Sequence, residues 1–169
     1  MSQDIAIYQV DAFSDSVFGG NPAAVCPLDD WLPDDRLQAI AAENNLAETA
    51  FFVTEGADYR LRWFTPTVEV DLCGHATLAT AHVLKGQLRP DATTYRFQTR
   101  SGLLTVQCRG EDYAMDFPAI HGEAAPSQMA ALTAALGAAP KEAFQAMDTM
   151  AVFESEGEVR ALAPDMARL

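Results

Sequence analysis

One glutamate in this sequence has surroundings that suit the transfer of a proton to or from carbon. Glu48 is flanked by the apolar residues Leu46, Ala47, Ala50 and Phe51. A carboxyl group among apolar side chains is partly desolvated, which suits a general acid or base. The alternative is a surface carboxylate beside a strand, with no chemical role.

A second candidate is the pair Gly74 and His75, which stands at the predicted start of a helix. The first N–H groups of a helix have no partner within it, and the helix dipole places positive potential there. Gly74 would let a substrate carboxylate or enolate oxygen approach closely, and His75 could donate a hydrogen bond or shuttle a proton. The alternative is a glycine turn followed by a histidine that caps the helix.

Other polar residues give weaker signals. Asn21 could hydrogen-bond a substrate carboxylate, although Asn before Pro22 is also ordinary in a turn. The three histidines show no ligand spacing with a carboxylate or a thiol, so the sequence predicts no metal. The pair Gly19-Gly20 lacks the further residues of a phosphate-binding loop.

The elements that must position these residues follow from the apolar pattern. β-prone runs predict strands over residues 5–10, 23–26, 49–54, 59–64, 95–99, 103–108, 113–117, 150–153 and 159–162. Helix signals cover residues 33–44 and 126–136. Residues 74–84 carry no obligatory charge on any face, which is typical of a buried helix, and Lys85 with Gly86 supply its expected stop. Strands on both sides of one buried helix predict an α+β fold with a sheet curled around that helix.

Composition limits the classes of partner. The 169 residues suit one domain or one lobe, and 24 acidic residues against 11 Lys and Arg give a formal charge of −13. This charge disfavours nucleic acid and anionic membranes, which bind clustered basic residues. The start of the sequence does not resemble a secretory signal, and no window suits a membrane helix, so we expect a cytoplasmic protein. Three widely spaced cysteines fit a reducing compartment.

Three stretches together resemble the PhzF-like (phenazine biosynthesis) family. They are residues 18–25 (FGGNPAAV), 43–51 (ENNLAETAF) and 64–79, which include DLCGHATLA. The resemblance implies a fold like diaminopimelate epimerase, in which each of two lobes is a curled, mostly antiparallel, barrel-like sheet around a central helix. Residues 1–169 would then form a single N-terminal lobe, with the second lobe absent or truncated. It also implies that Glu48 is the catalytic residue, that Asn21, Gly74 and His75 bind the substrate, and that no cofactor is needed.

The resemblance leaves the role of Cys73 open. In diaminopimelate epimerase a cysteine at the matching turn is one of two catalytic thiols, and Cys73 occupies that place. A second thiol would have to come from the other lobe, because Cys26 and Cys108 lie in predicted strands and suit a core. Cys73 is therefore a possible catalytic residue, and an isomerase that relies on Glu48 is favoured over a Cys-dependent epimerase or racemase.

A third alternative is a non-catalytic half-lobe or binding module. The family's second lobe supplies a segment resembling Gly-Asp-Pro-Val-Thr-Gly-Ser-Ala that closes the site, and this sequence contains no such string. The chain alone would then fold but lack efficient catalysis, and an exposed apolar face would favour self-association or a homodimer. The expected partner is a small anionic substrate. Its identity does not follow from the resemblance, and neither does phenazine production.

Overall fold

The computed structural model describes residues 4–16, 18–117 and 119–169. It divides the chain into two compact units, the first ending at Phe117 and the second at Leu169. All of the candidate site residues named above lie in the first unit. That residues 1–169 form a single lobe stays a prediction.

The first unit consists of one sheet and two α-helices within its described residues. The strands are β1 Tyr8–Ala12, β2 Asn21–Leu28, β3 Glu48–Glu55, β4 Asp58–Phe64, β5 Glu69–Val70, β6 Thr94–Thr99, β7 Gly102–Arg109 and β8 Asp112–Asp116. The helices are α1 Asp34–Asn44 and α2 Gly74–Val83. Each strand predicted in this unit is present, with ends that differ by a few residues, and the short strand β5 was not predicted.

The sheet is mixed and strongly curled. Its order is β1-β2-β3-β4-β6-β7-β8, with β5 paired to β4 at the side of this path. The β2–β3 and β4–β6 pairs are parallel, and the other five pairs are antiparallel. This confirms the predicted α+β class with a mostly antiparallel, barrel-like sheet around a buried central helix.

Helix α2 lies against the concave face of the sheet. Its alanines at positions 76, 79 and 81 are fully buried, and their small size lets large side chains such as Trp63, Tyr95 and Phe97 pack close to the helix axis. The buried hydroxyl of Thr77 donates to the carbonyl oxygen of Cys73 at 2.6 Å, so this polar group is satisfied inside the helix.

The end of α2 differs from the prediction. Lys85 and Gly86 do not stop the helix, because the chain continues through a π-helical turn over Leu84–Leu88, where the Arg89 N–H donates to the Leu84 carbonyl oxygen at 2.6 Å. The side chain of Leu84 is buried in the core of the sheet, and this burial favours the longer helix over an exit at the glycine.

Helix α1 covers the convex face of the sheet. Leu37 and Ala41 of α1 pack on Phe51 and Phe64 of the strands. Because side chains alternate along a strand, Phe51 faces α1 while its neighbours on either side face α2. The same alternation carries Glu48, at the start of β3, to the concave face.

The second unit has its own small sheet and two helices within its described residues. The sheet order is β11-β10-β9, with β9 Glu123–Ala124, β10 Glu142–Gln145 and β11 Thr149–Val152. A 3₁₀ turn over Pro126–Gln128 leads into α3 Met129–Leu136, which matches the predicted helix, and α4 spans Glu156–Arg160.

The strand predicted over residues 159–162 is wrong. Residues up to Arg160 belong to α4, and the Ser155 hydroxyl caps this helix by accepting a hydrogen bond from the Glu158 N–H at 3.2 Å. Glu156 also pairs with Arg160 one turn later at 2.6 Å. Capping and the ion pair both favour a helix here, despite the apolar residues that suggested a strand.

None of the helices in the described residues is both long and apolar enough to cross a membrane.

Candidate active site

Glu48 is held at the edge of the sheet, where β3 begins. In the parallel β2–β3 pair it lies beside Ala23, and β3 places it on the same face as Ala50, which is fully buried under α2. Its side chain is 19% exposed, and the carboxylate oxygen Oε2 is buried. The preceding turn is fixed by Asn44, whose amide donates to the Thr49 hydroxyl at 3.1 Å on the other face of the strand.

The carboxylate of Glu48 contacts His75 directly. His75 is the second residue of α2 and is 8% exposed. Its Nε2 atom lies 3.0 Å from Oε2 of Glu48, so the structure confirms that the helix start and Glu48 face each other. The two side chains are in contact because both point into the same concave space.

The Glu48 and His75 atoms are close but are not aligned for a hydrogen bond. Both Oε2 of Glu48 and Nε2 of His75 are buried without a hydrogen-bond partner in the described structure, and the indole Nε1 of Trp63 is the third such atom. Trp63 lies opposite Ala50 on β4, so it faces the concave side as well. Unsatisfied buried polar groups are costly, and their concentration at one place indicates a site that receives another polar group.

Cys73 adds a thiol on the other side of the imidazole. It is the N-cap residue of α2, and its Sγ lies 3.5 Å from Nδ1 of His75. Burial raises the pKa of the Cys73 thiol to about 12, and the nearby Glu48 carboxylate acts in the same direction. The backbone N–H groups of Ala76 and His75 oppose this shift without cancelling it. The thiol is therefore protonated at neutral pH.

Glu48, Cys73 and His75 form one cluster. Each offers a potential ligand atom, and these atoms lie within 4.8 Å of one another. A carboxylate, a thiol and an imidazole are the donor types that bind zinc, although the spacing along the chain predicted no metal. Glu48 lies on a strand 25 positions before Cys73, so the fold, and not spacing along the chain, brings the three residues together.

Gly74 leaves room beside the first turn of α2. A Cβ placed there would lie 3.7 Å from the Cζ of Phe117 and 4.0 Å from the Cζ of Phe13. Two aromatic rings thus border the first turn of α2. Sequence reasoning missed both phenylalanines, because each comes from a distant segment and neither belongs to a polar motif.

Asn21 begins β2, at the same edge of the sheet as Glu48. It is two residues before Ala23, the neighbour of Glu48, and strand alternation gives it the same concave face. The preceding turn requires glycine at position 20, since a Cβ there would lie 2.4 Å from the Ala12 carbonyl oxygen. The structure therefore brings Asn21 to the edge where Glu48 lies, and its binding role stays a prediction.

A separate charged network ties down the segment that leads into α2. Glu69 of β5 accepts two hydrogen bonds from Arg62, from Nε and Nη2, both at 2.7 Å. Arg100 approaches the same carboxylate at 2.6 Å, and Arg62 also donates to Asp34 at 2.9 Å. The hydrogen bonds that Arg62 donates to Glu69 raise the pKa of the Arg62 guanidinium. These pairs fix β5 four residues before Cys73.

His82 lies on a side of α2 that the sheet does not cover. It is exposed on α2, and its Nδ1 lies 3.0 Å from the hydroxyl oxygen of Tyr113. The helix is therefore not enclosed on every side, and Leu78 is also only partly buried.

The curled sheet and the polar cluster at the start of its enclosed helix define a class of α+β protein found among isomerases and epimerases. A crystal structure of a phenazine biosynthesis protein of the PhzF family from Enterococcus faecalis superposes with a TM-score of 0.91 at 48% identity, covering 98% of this chain and 63% of that one. A predicted epimerase from Pseudomonas aeruginosa shares the fold with a TM-score of 0.68 at 23% identity, over 80% of this chain and 51% of that one.

The family follows from the sequence comparison. The family described as "Phenazine biosynthesis-like protein" matches residues 10–169, and the chain belongs to this PhzC-PhzF family. An uncharacterized isomerase of Pseudomonas aeruginosa is 58% identical over 168 residues, which are 98% of this chain and 64% of that protein. The chain thus spans a little under two thirds of the length of curated relatives that it matches over 98% of its own length.

Proposed function

We propose that this chain carries the acid/base half of a cofactor-independent isomerase, which moves a proton between carbons of a small carboxylate-bearing substrate. The observation that carries the proposal is the contact between Glu48 and His75, whose facing polar atoms lie 3.0 Å apart and have no hydrogen-bond partner. Relatives of this chain are named isomerases, which supports the same reaction class.

The geometry supports a simple sequence of steps. The substrate carboxylate is held at the free N–H groups of the first turn of α2, beside Gly74. Glu48 removes a proton from carbon, and the electron pair of that C–H bond moves into the substrate as an enolate. The same carboxyl group then returns the proton to a second carbon on the same face. His75 orients Glu48 and donates a hydrogen bond to the developing negative charge.

The state of Cys73 favours an isomerase over a Cys-dependent epimerase. Proton removal by cysteine needs a thiolate, and burial raises the pKa of this thiol to about 12. The two other cysteines do not supply a second thiol here: Cys26 packs with residues on the convex side of the sheet, and Cys108 is the last residue but one of β7.

We also propose that further protein covers an apolar surface near the site when the enzyme is active. Phe13 and Phe18, on either side of the β1–β2 turn, are 68% and 94% exposed, and Val68 and Leu72 of the segment before α2 are also exposed. Large exposed apolar groups near a site mark a surface for further protein. A second copy of the chain, or additional protein of the length seen in the relatives, would enclose Glu48 and exclude water.

The test is hydrogen exchange in heavy water. The chain, and the chain joined to the remaining third of the Pseudomonas aeruginosa relative, are incubated in D₂O with a panel of small unsaturated carboxylates, and NMR follows the replacement of C–H by C–D. We expect exchange with at least one compound, and faster exchange in the joined protein. The Glu48→Gln variant should lose this exchange, while Glu43→Gln, a control on the exposed side of α1, should keep it. Equal exchange in both variants would remove Glu48 from the mechanism.

The mass of the chain in solution is recorded in the same preparations. Self-association is expected, because the exposed phenylalanines favour contact with a second copy. A strictly monomeric chain that exchanges as fast as the joined protein would contradict the proposed enclosure.

A further inference from the structure

We propose that Glu48, Cys73 and His75 form a binding site for a borderline-soft divalent cation such as Zn²⁺, and that the bound cation blocks the acid/base site. The binding itself does not depend on the proposed function, whereas the block does.

The three side chains present the atoms that such an ion prefers. Potential ligand atoms of the three residues lie within 4.8 Å of one another, with 3.0 Å from Glu48 Oε2 to His75 Nε2 and 3.5 Å from Cys73 Sγ to His75 Nδ1. Zinc binds sulfur at about 2.3 Å and nitrogen or oxygen at about 2.0–2.2 Å, so ligand atoms in a tetrahedral site lie roughly 3.2–3.7 Å apart. The two short distances involve different ring nitrogens, and one ion can bind only one of them. Binding of the ion therefore requires rotation of the Cys73 or Glu48 side chain to bring the third ligand atom from within 4.8 Å to this spacing.

A second observation points to a ligand at this place. Oε2 of Glu48 and Nε2 of His75 are both buried and have no hydrogen-bond partner in the described structure, and the His75 side chain is 8% exposed. A cation coordinated by these atoms would use lone pairs that no protein donor engages. The ion would also give Nε2 of His75 a partner, since the orientation of the Glu48 carboxylate leaves this atom without a hydrogen bond.

The charges favour a cation despite the helix start. The N-terminus of α2 contributes about half a positive charge, which opposes a cation. Glu48 supplies one negative charge, and Cys73 supplies a second when Zn²⁺ replaces its proton and that proton passes to solvent. Two negative charges therefore outweigh the dipole and balance the ion. Hard cations such as Mg²⁺ and Ca²⁺ prefer six or more oxygen ligands and do not fit a set with one carboxylate.

Three protein ligands leave one coordination position open, where water or the carboxylate of a substrate can bind. Because the ion holds the Glu48 carboxylate, that group can no longer take a proton from carbon. Zn²⁺ would then act as an inhibitor of the proposed reaction.

The test uses Co²⁺ as a spectroscopic probe and Zn²⁺ as its competitor. Co²⁺ added to the 169-residue chain should produce a near-ultraviolet charge-transfer absorption from thiolate to cobalt, and one equivalent of Zn²⁺ should remove it. Cys73→Ser should lose the absorption, while the matched variant Cys108→Ser should retain it. Glu48→Gln and His75→Gln should weaken Zn²⁺ binding at least about tenfold, and Glu43→Gln should not.

Two results would overturn the site. One is the absence of the charge-transfer absorption in the wild-type chain, since Co²⁺ that binds without this absorption is not bound to a thiolate and occupies exposed carboxylates instead. The other is absorption that persists in folded Cys73→Ser. If Cys73→Ser does not fold, zinc X-ray absorption of the wild-type chain decides: a shell with one sulfur near about 2.3 Å supports the site, and a shell of nitrogen and oxygen alone refutes it.

Discussion

Two glutamates of the first unit lie on opposite faces of the sheet and differ in the hydrogen bonds that their carboxylates accept. Glu69 is on the convex side with a 13% exposed side chain, and its two oxygens accept from Arg62 at 2.7 Å and 2.7 Å and approach Arg100 at 2.6 Å. Glu48 is on the concave side with a 19% exposed side chain, and its buried oxygen has no hydrogen bond although His75 is 3.0 Å away.

The difference separates a structural carboxylate from a chemical one. A carboxylate that accepts a bidentate hydrogen bond from one arginine and lies 2.6 Å from a second has its charge fully paired, and this pairing stabilises the fold. A buried carboxylate without a donor costs stability, and a protein retains such a cost mainly where the group performs a function. We propose that the sheet carries a structural carboxylate, Glu69, on its convex face and a reactive one, Glu48, on its concave face.

The largest expected effect follows substitution of the chemical carboxylate. Glu48→Gln should reduce exchange or turnover by about 10²–10⁴-fold, because it removes the group that accepts the proton and changes little volume. Exchange rates in D₂O measure the loss, and circular dichroism shows that the variant is folded. Glu69→Gln is the comparison: activity per folded molecule that falls as far in this variant would erase the distinction between the two carboxylates.

The second prediction concerns the thiol that shares the surroundings of Glu48. The ordinary pKa of a cysteine thiol is about 9.0, and burial raises the pKa of the Cys73 thiol to about 12. Since the thiolate is the reactive form, alkylation of Cys73 in the folded chain should be roughly 10²–10³-fold slower than in the urea-unfolded chain at pH 8. The rate in the folded chain should rise with pH over the range in which the chain stays folded, because the thiolate fraction grows while the pKa of the thiol lies well above that range.

Mass spectrometry of the peptide that contains Cys73 measures this rate. Cys73→Ser should correspondingly lower exchange much less than Glu48→Gln does. Rapid alkylation near neutral pH that substrate prevents would instead favour the Cys-dependent epimerase and would make Cys73 a partner of Glu48 in the chemistry.

The third prediction tests the structural side of the comparison. Arg62→Met should lower the free energy of unfolding by about 3 kcal/mol, because Glu69 would keep a largely buried charge and lose a bidentate partner. Arg60→Met is a matched control on the same face of β4, where the pair with Glu55 is 3.8 Å apart and both side chains are more than half exposed. Its effect should stay below about 1 kcal/mol. Urea unfolding of both variants measures these free energies. Equal losses of stability would show that the Arg62–Glu69 pair contributes no more than an exposed surface pair.

The smallest effect is expected at the exposed end of the same network. The hydrogen bond from Arg62 lowers the pKa of Asp34, but the Asp34 side chain is 75% exposed, so water screens the pair. Asp34→Asn should therefore leave the free energy of unfolding nearly unchanged. A loss as large as that of Arg62→Met would mean that Asp34, and not Glu69, is the main partner of this arginine.

The sequence predicted the parts of this molecule that local patterns encode. Residues 74–84 lack charge, and the structure encloses most of this helix in the sheet; the alternation of residues 59–64 likewise appears as β4. Glu48 and His75 were also predicted as site residues, and the structure places them in contact, although their roles stay predictions.

Other features depend on contacts that no local pattern encodes. Phe13 and Phe117 reach Gly74 from segments far apart in the chain. The approach of Cys73 to Glu48 requires the pairing of β3 with β2 and the direction of α2, and neither is visible in residue spacing. The missed strands β9 and β10 are two and four residues long, too short for a clear alternation.

The most direct test of the account is the free energy of unfolding of Glu48→Gln beside that of Glu69→Gln, measured by urea titration of the same chain. If Glu48 is kept for its chemistry, Glu48→Gln should leave the stability unchanged within about 0.5 kcal/mol or raise it, since the 3.0 Å contact of Glu48 with His75 is not aligned as a hydrogen bond and contributes little. Glu69→Gln should lower the stability by about 2–4 kcal/mol, because two arginines lose their counter-charge. Equal losses in the two variants would show that Glu48 is as fully paired as Glu69, and would contradict the assignment of Glu48 as the reactive carboxylate.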